Sequence, residues 1–158
     1  METALVVYYS QTGNTKKMAE LIGQGIKEGQ VGVEVKDVCD TAVEELAKYD
    51  ALVIGSPTYY GTMASPIKKL LDDSVAFHTK LDGKIGAAFA SSANIGGGNE
   101  TTILGILNAM LIHGMILQGD PMGDHYGPVA IGSPDARASK QCIRLGSRIA
   151  NLVKALRR

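Results

Sequence analysis

Short runs of consecutive apolar residues alternate along the chain with longer segments whose apolar residues recur every three or four positions. A run of four to eight apolar, β-branched or aromatic residues is typical of a buried strand, and alternation with polar residues is typical of a half-exposed one. Five segments follow these two patterns. They predict buried strands at 4–9, 51–54 and 85–90, a more exposed strand at 31–35 and a short strand at 115–117.

The segments between the predicted strands have the apolar spacing of amphipathic helices. This spacing predicts helices that include residues 18–26, 43–46, 65–71, 103–111 and 142–153. Ser65-Pro66 is typical of a helix start, since a proline in the first turn has no helical hydrogen bond to lose.

The helix at 142–153 carries signals at both of its ends. Ser133-Pro134-Asp135 predicts its start, with Ser133 as the cap and Asp135 at the positive end of the helix dipole. Basic residues suit the negative end of a helix, and here they are Lys154, Arg157 and Arg158.

Alternation of strands and helices predicts an α/β fold in which a parallel sheet carries helices on both faces. Five strands in 158 residues fit the smaller doubly wound order, 2-1-3-4-5, and residues 1–158 are expected to form a single domain. Such a sheet binds ligands beyond the carboxyl ends of its strands, where the strand order reverses. The loops after strands 1, 3 and 4 are therefore the expected place for chemistry.

Charge and composition exclude several classes of partner. Basic and acidic residues balance at 16 each, which leaves no basic excess for nucleic acid. No apolar run approaches the ~20 residues of a membrane span, and the amino-terminal residues lack the basic start of a secretory signal, so we expect a cytoplasmic protein with no membrane partner. Cys39 and Cys142 are too few for a metal cluster, and no metal is expected.

The predicted loop after the first strand has the composition of an anion-binding turn. It reads Ser10-Gln11-Thr12-Gly13-Asn14-Thr15 and enters a helix directly, where backbone N–H groups are free and the helix dipole is positive. The sequence motifs of triphosphate-binding and dinucleotide-binding loops are absent from it. Taken alone, the loop fits a phosphate site and an ordinary hydroxyl-rich helix cap equally well.

The loops after the third and fourth strands add aromatic and glycine-rich surface to the same edge. Segment 56–63 contains Tyr59 and Tyr60, whose flat faces can stack and whose hydroxyls can form hydrogen bonds. Segment 91–100 contains three consecutive glycines, which allow backbone to lie close to a flat ligand. Either loop alone is compatible with a plain turn, but three such loops on one edge favour a ligand site.

These motifs resemble those of the flavodoxin superfamily, whose phosphate signature, hydroxyl-x-Thr-Gly-x-Thr, is matched fully by residues 10–15. The resemblance is closer to the WrbA-type flavodoxin-like NAD(P)H:quinone oxidoreductases. Residues 55–63 are similar to their Gly-Thr-Pro-Thr-Arg-Phe-Gly-Asn-Met, and residues 89–100 to their Phe-Ser-Ser-Thr-Gly-Thr-Gly-Gly-Gly-Gln-Glu. His113-Gly114-Met115 matches their His-Gly-Met, and the likeness covers nearly the whole chain.

The resemblance implies a flavodoxin-like fold with an FMN site built from all three loops. Phosphate contacts are implied for the first loop, ribityl and ring contacts for the second, and backbone contacts to the ring for the third. The implied cofactor-binding residues are, in that order, Ser10, Gln11, Thr12, Gly13, Asn14 and Thr15; Pro57, Thr58, Tyr59, Tyr60 and Gly61; and Ser91, Ser92, Ala93, Asn94, Gly96 and Gly97.

The resemblance also places His113 near the flavin, as a cofactor contact and a candidate catalytic residue. There it would hydrogen-bond a quinone oxygen or donate a proton. Its position in the sequence fits a second interpretation equally well, a histidine at a helix end that faces the last carbonyl groups.

The function implied by the resemblance is that of an enzyme. FMN, bound tightly but non-covalently, accepts a hydride from NAD(P)H as co-substrate and passes two electrons to a quinone. The partners are then small molecules and further copies of the chain in a homodimer or homotetramer. The apolar segment 104–115 is expected mainly to pack in the core, and the resemblance implies a subunit contact for part of it.

Three other functions remain open at this point. Electron-transfer flavodoxins are usually strongly acidic and place the flavin between a Trp and a Tyr, whereas this chain has a net charge of zero and no tryptophan. An iron–sulfur flavoprotein of similar fold needs a compact cysteine cluster, which Cys39 and Cys142 do not provide. A flavin-binding protein that regulates a partner with little turnover is also compatible with the sequence.

Overall fold

The structure is a computed structural model that describes residues 2–156. Its strands are β1 (Thr3–Tyr8), β2 (Gly32–Asp37), β3 (Ala51–Tyr59), β4 (Thr62–Met63), β5 (Ile85–Ser92), β6 (Ile116–Leu117) and β7 (Val129–Ile131). Its α-helices are α1 (Asn14–Glu28), α2 (Ser65–Asp73), α3 (Asn99–Ile112) and α4 (Ala136–Leu156). Short 3-10 turns lie at Val38–Asp40, Val43–Lys48 and Ser74–Phe77.

The main sheet is parallel, with the strand order β2-β1-β3-β5-β6. Since β5 and β6 are the fourth and fifth strands predicted from the sequence, the predicted order 2-1-3-4-5 is confirmed. β1 is an inner strand, and its Val6 pairs with Val35 of β2 and with Val53 of β3. The apolar runs of β1, β3 and β5 are buried because each of these strands is covered on both faces.

Alternate residues of the strands face two separate apolar cores. Val6, Val53 and Phe89 face the layer formed by α1 and α4. Leu5 and Leu52 face the opposite layer, formed by α2 and α3. The side chains of all five residues are almost completely buried. The prediction of helices on both faces is therefore confirmed.

Helices α1 and α4 approach each other through two glycines. A side chain on Gly25 would overlap the carbonyl of Ile143, and a side chain on Gly146 would overlap the carbonyl of Ile22. Only glycine permits backbones to pack this closely. Beside this crossing Cys142 is fully buried, and burial raises the pKa of its thiol to about 12.

β3 is longer than the sequence predicts, because it continues through Pro57 to Tyr59. β1 pairs with β3 only as far as Gly55, so the missing N–H of Pro57 removes no hydrogen bond to β1. Past the proline, β3 turns through residues 60–61 and pairs with the antiparallel β4, a hairpin that the sequence analysis does not contain.

The predicted fifth strand at 115–117 is present as β6, and a further strand, β7, is not predicted from the sequence. β6 pairs with the start of β5 at Ile85 and Gly86, whereas β7 pairs with its end at 90–92. The intervening segment 118–128 leaves the sheet and is held against α4 by three ion pairs, one of them the longer contact of 3.7 Å between Arg148 and Asp120. Arg144 lies 2.6 Å from Asp120 and lowers the pKa of that carboxyl to about 2, and Arg137 lies 2.7 Å from Asp124.

Two of the predicted helices differ in detail. The segment at 43–46 forms a 3-10 turn, Val43–Lys48, rather than an α-helix. The cap of α4 is Asp135, whose Oδ1 accepts the backbone N–H of Ala138 at 2.7 Å, and not Ser133. A residue that precedes proline is biased toward extended backbone, so the helix begins after Pro134. Arg157 and Arg158 lie outside the described residues.

Candidate functional site

Three loops meet at the carboxyl edge of the parallel sheet. They are the loop after β1 (residues 9–13), the turn between β3 and β4 (residues 60–61) and the loop after β5 (residues 93–98). Sheet pairing fixes where the loops begin, because Tyr8 lies opposite Gly55 and Pro57 lies opposite Ser91. The structure thus brings the three loops singled out in the sequence to one place.

The loop after β1 opens onto the uncapped start of α1. Gly13 occupies the cap position with φ +94°, a left-handed conformation, and no side chain caps the first turn. The Oγ of Ser10 accepts the N–H of Gly13 at 3.0 Å, which tightens the loop. The remaining N–H groups of the first turn are available to an anion, whose charge the helix dipole favours. Gln11, Thr12 and Asn14 line this loop on its exposed or half-exposed side.

Thr15 has a different environment from its neighbours in the loop. It is almost completely buried, and its Oγ1 lies 2.9 Å from the Oγ of Ser91 on β5. The bond joins the loop after β1 to the strand that carries the glycine-rich loop. A buried hydroxyl bonded within the fold is a structural link between two loops of the site.

The turn between β3 and β4 presents an aromatic side chain to solvent. Tyr60 and Gly61 have φ values of +51° and +78°, as a tight two-residue hairpin requires. Tyr60 is fully exposed. Tyr59 is less exposed, and its hydroxyl donates to Oε1 of Gln11 at 3.0 Å, which links this turn to the loop after β1. Desolvation is the main cause that raises the pKa of Tyr59. Pro57 and Thr58, which lead into the turn, are half-buried.

The loop after β5 exposes backbone on the same edge. Ser91 and Ser92 are buried at the end of the strand, and Ser92 Oγ donates to the carbonyl of Asn94 at 2.9 Å. The exposed part of the loop contains Ala93, Asn94, Gly96 and Gly97. Apart from Asn94 and the exposed Ile95, the residues of this stretch carry no side chain larger than a methyl group.

Three residues that the sequence pattern does not single out join the second and third loops. Gly98 has φ +100°, and a Cβ there would lie 2.7 Å from Cα of Gly61. Thr101 Oγ1 donates to the Gly61 carbonyl at 2.6 Å, and Thr102 Oγ1 lies 3.1 Å from Thr58 Oγ1. The run of three glycines before a helix pointed to Gly98, but the two threonines looked like ordinary helix positions.

His113 does not join these loops within one chain. It follows α3, which begins at the loop edge with Asn99 and has 14 residues, a length of about 21 Å. It therefore lies at the amino end of the sheet, next to Gly114, whose carbonyl accepts the N–H of Gly83 just before β5. The prediction of His113 beside the flavin does not agree with this placement, because α3 carries it to the other end of the sheet.

At that end His113 takes part in a buried hydrogen-bond chain. Ser74 Oγ donates to the carbonyl of Leu71 at 2.6 Å and lies 2.7 Å from His113 Nε2. Since Ser74 has one hydroxyl proton, Nε2 is the donor to Ser74 and Nδ1 carries a lone pair. Within the described residues, the buried Nδ1 has no hydrogen-bond partner. Desolvation, and then the nearby His78, lower the pKa of His113, which favours the neutral ring.

Within residues 2–156, no helix is both long and apolar enough to span a membrane.

The chain is similar in sequence to a family of known proteins. The family model described as Flavodoxin matches residues 6–111, which include all three loops. A protein named flavodoxin from Aquifex aeolicus is 39% identical, with 97% of this chain and 88% of that protein covered. A protein named NAD(P)H dehydrogenase (quinone) from Archaeoglobus fulgidus is 33% identical, with 99% of this chain and 100% of that protein covered.

A solved structure supports the same relationship. The WrbA-like flavodoxin from Agrobacterium tumefaciens superposes with a TM-score of 0.80 at 26% identity, over 98% of this chain and 99% of that one. The resemblance found in the sequence motifs is therefore confirmed at the level of the family and of the fold.

Proposed function

Because the chain belongs to the flavodoxin family, we propose that its three joined loops bind FMN and that it is an FMN-dependent oxidoreductase that transfers electrons from NAD(P)H to quinones. One observation carries the proposal: the uncapped start of α1, with Gly13 in its left-handed conformation, opens at the edge where an exposed tyrosine and exposed glycine backbone also lie. The family binds FMN, and the donor set of this edge fits its phosphate and its flat ring.

The loop after β1 would hold the phosphate. Its free N–H groups, the hydroxyls of Ser10 and Thr12 and the amide of Asn14 are donors, and the helix dipole favours the negative charge. Each hydrogen bond to a charged oxygen is worth about 1.5–3 kcal/mol. The remaining members assigned to this loop, Gln11 and Thr15, act through their bonds to Tyr59 and Ser91.

The other two loops would hold the ribityl chain and the ring. Tyr60 offers an exposed aromatic face, and the exposed backbone after β5 offers N–H groups to the polar edge of the ring. The residues assigned to these contacts are Pro57, Thr58, Tyr59, Tyr60 and Gly61, with Ser91, Ser92, Ala93, Asn94, Gly96 and Gly97 on the other side. Backbone N–H groups aimed at a ring that gains negative charge stabilise that charge electrostatically.

When bound, FMN supplies the redox chemistry, hydride acceptance from NAD(P)H and two-electron transfer to a quinone. The chain contributes binding, orientation and an electrostatic setting. His113 is not assigned to the flavin of the same chain, because it lies at the other end of the sheet, and the N–H groups of the loops serve as donors. Proton delivery to the quinone then falls to solvent at the exposed edge.

A second candidate function is electron transfer between redox proteins. It is favoured by the 39% identity to the Aquifex aeolicus protein named flavodoxin. The same loops would hold FMN in both functions, so the difference lies in whether NAD(P)H delivers a hydride to it.

We also propose that copies of the chain associate through α3, as a homodimer or homotetramer. Leu104, Leu111 and Ile112 leave large apolar side chains at least partly exposed along this helix, and Val75 adds another from the turn after α2. Exposed apolar surface of this kind is typical of subunit contacts. Light scattering across a concentration series measures the assembly. A cytoplasmic location stays a prediction.

The test is anaerobic. The protein is loaded with FMN, mixed with NADH or NADPH, and followed by the yellow absorbance of the flavin. Rapid bleaching in one two-electron phase, with absorbance restored by an added quinone, supports the reductase. Absence of bleaching by either nucleotide, with chemical reduction in two one-electron phases, favours the carrier. Failure to retain FMN overturns both.

A further inference from the structure

The turn that presents Tyr60 is held in a costly conformation. A tyrosine with φ +51° lies in the left-handed region, which is unfavourable for a residue other than glycine. The side chain of Tyr60 is fully exposed, so packing around that side chain does not offset the cost. The pairing of β3 with β4 fixes the two ends of the turn, and a contact from another element decides how firmly its tip is held at the ligand edge.

The contact is made by the start of α3. Gly98 lies against Gly61 so closely that a Cβ on Gly98 would sit 2.7 Å from Cα of Gly61. Thr101 Oγ1 donates to the Gly61 carbonyl at 2.6 Å, while the Gly98 carbonyl lies at 2.9 Å from the same oxygen. One side chain thereby ties the tip of the hairpin to the first turn of α3.

A neighbouring threonine fixes the base of the hairpin instead of its tip. Thr102 is completely buried, and its Oγ1 lies 2.9 Å from the Gly98 carbonyl and 3.1 Å from Thr58 Oγ1. Thr102 is therefore part of the packed fold, whereas Thr101 is exposed and contacts the part of the hairpin that carries Tyr60. The two roles can be separated by mutation.

We infer that Thr101 is a positioning residue for the FMN site: its hydroxyl holds the Tyr60–Gly61 turn in its ligand-accepting conformation before the cofactor binds. This inference rests on the proposed function, since it assumes that FMN is the ligand. A turn ordered in advance loses less conformational freedom on binding, which strengthens affinity without any direct contact between Thr101 and the cofactor.

The variant Thr101→Val removes the hydroxyl and keeps the shape of the side chain, and Thr101→Ser restores the hydroxyl. Thr62→Val is the matched control, because Thr62 is exposed on the same hairpin and its hydroxyl has no hydrogen bond to the rest of the described chain. FMN affinity is measured by quenching of flavin fluorescence. Backbone order of Tyr60 and Gly61 is measured by 15N relaxation in the FMN-free protein.

We expect Thr101→Val to weaken FMN binding by about three- to ten-fold, the worth of one hydrogen bond. In the FMN-free protein the order parameters of Tyr60 and Gly61 should fall from about 0.85 toward 0.6. Thr101→Ser and Thr62→Val should stay within two-fold of the original affinity. The melting temperature of the FMN-free Thr101→Val protein should match that of the Thr62→Val protein.

Unchanged affinity or unchanged order at the turn in Thr101→Val overturns the inference. So does an affinity loss that accompanies a lower melting temperature and is not restored by Thr101→Ser, since that result describes a general structural role. If the original protein fails to bind FMN, the proposed function fails. In that case the 15N order parameters of Tyr60 and Gly61, compared between the original protein and Thr101→Val, still show whether Thr101 holds the turn.

Discussion

The two ends of the parallel sheet use the same kinds of residues in opposite ways. At the carboxyl edge, hydroxyl groups join three loops to one another and leave N–H groups and Tyr60 facing solvent. At the amino end, Ser74 and His113 form a hydrogen-bond chain to Leu71 that lies inside the protein. Polar groups at the first end organise an open surface, whereas Ser74 and His113 at the second end are buried inside the fold. We therefore expect substitutions at the carboxyl edge to affect ligand binding, and substitutions at the amino end to affect only the stability of the fold.

The sharpest test of this difference compares one glycine from each end. Gly98 and Gly114 both have positive φ, so Ala at either position is strained by roughly 1 kcal/mol or more. A Cβ on Gly98 would meet backbone, Cα of Gly61, whereas a Cβ on Gly114 would meet the side chain of Asp82, which can rotate away. We expect Gly98→Ala to cost about 2–4 kcal/mol of unfolding free energy and most of the FMN affinity.

Gly114→Ala is its control, with an expected cost of about 1 kcal/mol and unchanged FMN affinity. Urea denaturation of the FMN-free proteins and flavin fluorescence titration measure the two quantities. Equal losses of affinity in the two variants would contradict the division between a binding end and a stabilising end.

A smaller effect is expected from one hydroxyl at each end. Thr15→Val leaves Ser91 without its partner in a buried site, and Ser74→Ala leaves the Nε2 proton of His113 unpaired. Each should lower the free energy of unfolding by about 1–2 kcal/mol. Only Thr15→Val should also weaken FMN binding, because it loosens the link between two binding loops. Calorimetry and fluorescence titration of both variants give the comparison, and a loss of affinity in Ser74→Ala would break it.

The smallest expected effect is the contribution of His113 to the pH dependence of stability. Burial, with a contribution from His78, lowers the pKa of His113 in the folded protein below its ordinary value of 6.5. Below about pH 6.5 the unfolded chain therefore takes up a proton that the folded chain resists, and stability is lost as the pH falls toward the lowered pKa. His113→Gln, which keeps a donor for Ser74, should lose less stability between pH 7.5 and 5.5 than the original protein.

FMN affinity and quinone reduction should be the same in His113→Gln as in the original protein. Denaturation at several pH values measures the first effect, and stopped-flow reduction measures the second. A slower quinone step in the variant would show that this histidine reaches a flavin after all, and it would point to a flavin held by another copy of the chain.

The sequence predicted the sheet better than the site. Apolar runs of the lengths found at β1, β3 and β5 are sufficient to place central strands, and alternation with helices restricts their order. The additional strand β7 was not predictable, since its three residues form a strand only by pairing with the end of β5, almost 40 residues earlier in the chain. The same applies to Gly98 and Thr101, whose importance depends on contact with a hairpin some 40 residues away.

The close glycine crossing of α1 and α4 has a consequence for synthesis of the protein. Met18, Ile22 and Ile26 leave the ribosome before α4, residues 136–156, yet their apolar face belongs to a core that α4 helps to close. Until that helix has been made, the growing chain carries uncovered apolar surface, which is the condition under which nascent chains aggregate or are bound by chaperones. Completion of this core is therefore tied to the synthesis of α4 and not to that of the binding loops.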